Sequence, residues 1–151
     1  MNLKEAINEM KRGTKHYKLI VVNQEDKNSI NECESLDNEG ILRIDVTKTL
    51  TEEILVGKDP EDIEFDTWDY IKDYLHSLNF NILILNNVDY MFSPDLGNLD
   101  AISNFKYYSR NGHIIVLFIK GKLIGNYLFY SKEGYPDYKR MDVSEVLVVG
   151  W

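Results

Sequence analysis

Two polar clusters, each directly after an apolar run, hold the residues of this chain whose types and spacing could do chemistry. Asn86, Asn87 and Asp89 follow Ile82, Leu83, Ile84 and Leu85, and Asn23, Gln24, Glu25, Asp26, Lys27, Asn28 and Ser29 follow Leu19, Ile20, Val21 and Val22. Continuous apolar runs without alternation are the mark of strands covered on both faces, as in a parallel sheet. Polar residues at the carboxyl ends of such strands stand where open α/β sheets place their ligands. Asparagine also closes strands and starts turns, so Asn86 and Asn87 carry both readings.

The 23–29 segment has the strand, loop, helix layout of a phosphate-binding loop, but its residues do not suit one. Backbone amides wrap phosphates where glycines allow close approach, and a Lys followed by Ser or Thr holds phosphate and magnesium. No glycine occurs between Gly13 and Gly40, and GxxxxGK[ST] is absent. Glu25 and Asp26 would face a polyanion, where one like-charge pair at ~4 Å costs roughly 4 kcal/mol at an effective dielectric of ~20. Lys27 offsets part of this. Ser29 and Glu32 fit a capping box opening a helix from Ser29 to Asp37, with Glu32 expected to fill the helix end in place of an external anion. Other catalytic sets are absent. His16, His76 and His113 lie on separate elements, no nucleophile turn GxSxG occurs, and Cys33 sits in an acidic stretch that disfavours a thiolate. No metal ligand set and no resident cofactor are expected.

The elements that would position these clusters alternate. Leu3, Ile7 and Met10 give an amphipathic first helix, Tyr17–Asn23 a strand, and Ile41–Thr47 another after Gly40. Thr49 and Glu52 read as a capping box for a helix around Leu50–Val56, with Glu61–Glu64 as an acidic loop. Phe65, Trp68, Ile71, Leu75 and Leu78 recur at helical spacing and are expected in the core, with His76 on the surface. After the Ile82–Leu85 strand and the Ser93–Gly97 loop, Leu99–Ser109 is a predicted helix with Ile102, Phe105 and Tyr108 inward, ended by Arg110, Asn111 and Gly112. His113–Ile119 is the fourth buried strand. Gly121, Gly125, Gly134 and Pro136 punctuate short strand-like pieces at Tyr127–Tyr130 and Val146–Val149, expected as a small β extension against the sheet edge. The whole predicts one α/β domain over residues 1–151 with a largely parallel sheet.

With 151 residues, 44% hydrophobic and 28% charged, the chain has the size and composition of one ordinary globular domain. The lone cysteine rules out an internal disulfide and any cysteine-cluster zinc site. The first residues lack the apolar core of a signal peptide and no stretch approaches a membrane span, so a cytoplasmic location and no membrane contact are expected. The net charge is −8 but uneven: residues 1–100 hold 10 Lys or Arg against 21 Asp or Glu, and residues 101–151 hold 7 against 4. Arg110, Lys120, Lys122, Lys139 and Arg140 make the second part a candidate for contacting nucleic acid, an acidic partner or another copy of the chain.

From Asn81 onward the chain resembles the BrxF family, the small P-loop proteins of type 3 BREX bacteriophage-defence systems. LILNNVDYMFSP at Leu83–Pro94 is similar to that family's LLLDNIEILFDP. Ser109, Arg110 and Asn111 match its SRN helix end, and Tyr127–Tyr130 and Tyr135–Arg140 echo its later strand and HPEYRRY-like segment. The resemblance implies a P-loop NTPase-like three-layer fold. It also implies that Asn23–Ser29 stands at a degenerate Walker A position and Asn86, Asn87 and Asp89 at a degenerate Walker B position, where an amide replaces the magnesium-holding aspartate. The expected function is a non-catalytic interaction or scaffold subunit of a defence assembly, contacting other defence proteins or itself. The alternatives are an ATPase with an unorthodox phosphate loop, which would use ATP and magnesium, and a DNA-binding accessory acting through Arg110, Lys139 and Arg140.

Overall fold

The computed structural model of the chain describes residues 1–13 and 15–151. Leu3, Ala6, Ile7 and Met10 are buried on one side of α1 (Leu3–Lys11), which Asn2 and Glu5 close with a reciprocal capping box. The apolar runs form the strands as their patterns predict. β1 (Leu19–Asn23), β2 (Ile41–Asp45), β3 (Ile82–Asn86) and β4 (Ile114–Ile119) pair in parallel, in the order β2-β3-β4-β1. Every residue of β4 is buried, as a strand covered on both faces requires.

The tail forms the expected small β extension except for its last strand. β5 (Lys122–Ile124), β6 (Tyr127–Tyr130) and β7 (Lys139–Asp142) form a separate antiparallel sheet, but β8 (Leu147–Val149) leaves it and pairs in parallel with β1 as the fifth strand of the main sheet. Val149 is buried there, and the pairing makes β1 an interior strand.

Three helix assignments also shift. α2 runs from Lys27 to Glu34 with Asp26 at its N-cap, so the helix starts two residues before Ser29 and ends before Asp37. The Ser29–Glu32 capping box does not form: Ser29 Oγ donates to Asp26 Oδ2 (2.6 Å), and Glu32 Oε2 accepts the Lys4 N–H of α1 (3.0 Å). The Thr49–Glu52 box is likewise absent. Asp45 caps α3 (Val46–Thr49) by accepting the Lys48 N–H, and the chain continues as a π turn over Leu50–Ile54. Glu61–Glu64 is helical, because Pro60 at the first position and two acids in the first turn suit a helix start; α4 spans Pro60–His76. Ile71 and Leu75 face the core and Trp68 packs against it, but Phe65 is 80% exposed, against the expectation that it is core. α5 (Ala101–Tyr108) buries Ile102, Phe105 and Tyr108 as predicted.

Alternate strand residues feed two cores, giving three layers. Ile20, Val22, Ile84, Val116 and Phe118 meet α1 and α2 on one face. Leu19, Val21, Leu85, Leu117 and Ile119 meet α4, α5 and the inner side of the small sheet on the other. Gly97, at φ 90°, passes so close to α4 that a Cβ there would collide with the Glu64 carbonyl.

Candidate functional site: the cleft at the carboxyl ends of the strands

Because β4 lies between β1 and β3, the loop after β1 and the end of β3 open on one crevice. A cleft of about 540 Å³ occupies it on the α2 side, lined by Gln24, Cys33, Glu34, Arg43, Asn86 and Asn87 over an apolar floor that includes Ile84 and Phe118. This is the usual ligand position of an open parallel sheet, and the volume lies within the range of small-molecule pockets, ~300–1,000 Å³.

The loop itself is a tight turn whose amides are already used. Gln24 N–H donates to the Ile119 carbonyl, Glu25 N–H to Asn23 Oδ1 and Asp26 N–H to the Asn23 carbonyl, each at 3.0 Å. Asn23 Nδ2 donates to the Gly150 carbonyl (3.0 Å), tying the turn to the chain beyond β8. Glu25, Lys27 and Asn28 are exposed, and Asp26 lies against Gly150. Ser29 is buried at 1% exposure with its hydroxyl committed to Asp26. The turn's own amides are spent and the Ser29 hydroxyl is turned inward, whereas the first amides of α2, at Lys27, Asn28 and Ser29, have no side-chain cap.

At the end of β3 the three polar residues separate by role. Asn86 is exposed and lines the cleft. Asn87 adopts φ 51°, a conformation that Asn tolerates better than most residues, and joins β3 to β2: its Nδ2 donates to Asp45 Oδ1 (2.9 Å) and its carbonyl accepts the Thr47 N–H (2.9 Å) and hydroxyl (2.6 Å). Asp89 turns to the tail. It accepts the Tyr130 hydroxyl (2.9 Å) and pairs with Lys120 (3.4 Å), while Phe92 stacks on the Tyr130 ring at 4.1 Å. Burial, and then the bond to Asp89, push the Tyr130 hydroxyl well above its ordinary range. Asp89 thus clamps the small sheet to the fold and is not in the cleft lining. Among the described residues no group of three or more His, Cys, Asp or Glu side chains is placed to hold a metal ion, and no helix is long and apolar enough to cross a membrane.

Arg43, like Glu34, is a polar cleft residue that sequence reasoning missed. Its guanidinium donates to the Cys33 carbonyl (2.9 Å) and approaches Cys33 Sγ (3.2 Å), capping α2, while Nε bonds Asn38 Oδ1 (3.3 Å). A single cation between Leu42 and Ile44 in the ILRID strand was its only signal. The basic candidates lie on different elements. Arg110 is exposed on the turn after α5, at the amino end of β4, whereas half-buried Lys139 and exposed Arg140 lie on β7, with Arg140 stacked on the Tyr127 ring at 4.8 Å.

No protein-family model matches this chain, and no curated protein or solved structure matches it significantly.

Proposed function

We propose that the chain is a non-catalytic, P-loop NTPase-like module that serves a prokaryotic phage-defence assembly of the BREX type through protein contacts. The observation that carries the non-catalytic part is the closed turn at Asn23–Asp26, whose amides are consumed by Asn23 and Ile119. The β3 end agrees with it, since Asn86 brings no charge to a metal and Asp89 is engaged by Tyr130 and Lys120. Phosphoryl transfer depends on positioning and on neutralising the charge of the phosphates, and acidic Glu25 and Asp26 work against both. The defence context rests on the resemblance at Leu83–Pro94, Ser109–Asn111 and Tyr127–Arg140. Three-layer architecture, with β1 and β3 opening on one crevice, supports the P-loop-like assignment.

Calorimetric titration with ATP and magnesium tests this reading, alongside an Asn86→Asp variant. The expected result is no binding heat and no turnover in either protein. Micromolar binding that weakens in Lys27→Ala would replace the reading with an ATPase that uses Lys27 as its phosphate contact.

A further inference from the structure

The outer face of α4 is acidic and carries one large apolar side chain. Six of its seventeen residues are Asp or Glu against the single Lys72, which is itself paired with Asp69 at 3.2 Å. Glu61 and Asp62 precede Phe65 by four and three residues and Asp69 follows it by four, so all lie on one helical face around a phenyl ring that is 80% exposed. The negative field reaches Tyr70, whose hydroxyl is raised above its ordinary value by loss of water around it and by Asp62, Asp66, Asp59 and Asp69.

A surface of opposite character lies on the small sheet. Leu128 and Met141 point inward, so their alternate neighbours point out. The register places Lys122, Phe129 and Arg140 in one outward row and Ile124, Tyr127 and Asp142 in the next. Ile124 is 54% and Tyr127 39% exposed, and Lys122 and Arg140 are exposed cations flanking them. The two surfaces do not meet within one molecule. Trp68 of α4 packs edge-on to Phe105 and Tyr108 of α5, and α5 in turn packs against β7, so α5 stands between them.

We infer that the acidic α4 face of one copy docks on the cationic, aromatic face of the small sheet of a second copy, with Phe65 as the apolar anchor. The contact joins two different patches, so it is head-to-tail and generates a ring or a filament according to its rotation. Opposed charge sets orientation and encounter rate, while Phe65 against Ile124 and Tyr127 supplies the desolvated centre. Nucleic acid fits the sheet less well: Lys122 and Arg140 would neutralise few phosphates, whereas Phe65 gives the α4 face an apolar anchor for Ile124 and Tyr127. This deepens the reading of the chain as an interaction module by naming one partner, and its test uses no nucleotide, so the two can fail separately.

Sedimentation velocity of the full chain over a range of micromolar concentrations, at low and high salt, reads the contact. Self-association is expected at low salt, weakened by salt and reduced on the order of tenfold by Phe65→Ala, by Asp62→Lys with Asp69→Lys, and by Lys122→Glu with Arg140→Glu. The substituted side chains are exposed or at the sheet surface, so circular dichroism should match the parent. Mixing the two charge-reversed proteins should restore assembly, because each then meets its complement. A monomer under all conditions, or association that the reversals leave unchanged, would overturn the inference. Binding of a labelled single-stranded DNA that is lost in the Lys122→Glu, Arg140→Glu protein, without self-association, would overturn it in favour of nucleic acid.

Discussion

Asp89 shows how a carboxylate in a suggestive place is spent on the fold. It accepts the Tyr130 hydroxyl and pairs with Lys120, joining the segment after β3 to the small sheet. The Tyr130 ring is 3% exposed and stacked on Phe92, so its hydroxyl has lost water and depends on that bond. Replacing Tyr130 by Phe is expected to cost about 1.5–3 kcal/mol, the usual net value of a bond to a charged group, read from the urea midpoint at neutral pH. The pH dependence follows from the raised folded-state value. Below the ordinary tyrosine value of 10.0 both states keep the proton and the stabilisation is whole. Above it the unfolded chain loses the proton first, so stability falls as pH rises. Unfolding measured from neutral to strongly alkaline pH should show this fall, and it should be shallower in Tyr130→Phe.

At the scale of elements, β8 is the piece that most changes the picture. Three residues, Leu147, Val148 and Val149, turn β1 from an edge strand into an interior one and carry the chain back over the turn that follows β1. Truncation after Val146 is expected to cost more than ~3 kcal/mol, since burial of one such side chain is worth ~1.5–3 kcal/mol and the β1 ladder loses its partner besides. Removal of Trp151 alone, 39% exposed and bonded through Nε1 to the Gly121 carbonyl at 3.1 Å, should cost about 1 kcal/mol. Thermal unfolding of both truncated proteins separates the two contributions. An equal loss in both would show that β8 adds nothing beyond that bond.

For the whole molecule, one sheet serves two cores, and the cores share each strand through alternate residues. Ile84 belongs to the α1–α2 side and Leu85, its neighbour, to the α4–α5 side. Substituting either by Ala should cost ~2–5 kcal/mol. Both should move a single unfolding transition without splitting it, because both layers pack on the same five-stranded sheet. Circular dichroism and tryptophan fluorescence should therefore give coincident curves in each variant; separate curves would mean that the layers unfold independently. The uneven charge belongs to this scale too. The acidic surplus gathers on α4, while Lys122 and Arg140 face outward on the small sheet with α5 between, a separation that is read only from the folded chain.

By itself the sequence determined the four long strands, their parallel pairing, the inward faces of α1 and α5, and the lack of a glycine-built phosphate loop. Each of these rests on local chemistry: apolar runs, helical spacing, and the need of a nest for residues without a Cβ. Tertiary structure decided the rest. Phe65 has core spacing, yet it is exposed because Ile71 and Leu75 set which side of α4 meets the sheet. Ser29 and Glu32 have capping-box spacing, but Asp26 takes the hydroxyl and α1 presents a free amide to the carboxylate. The partner of Leu147–Val149 was illegible because strand pairing is made across the chain, and only the fold brings β8 beside β1. The cleft required the same long-range step, since Gln24, Arg43 and Asn86 lie on three segments that meet only when parallel strands align their carboxyl ends.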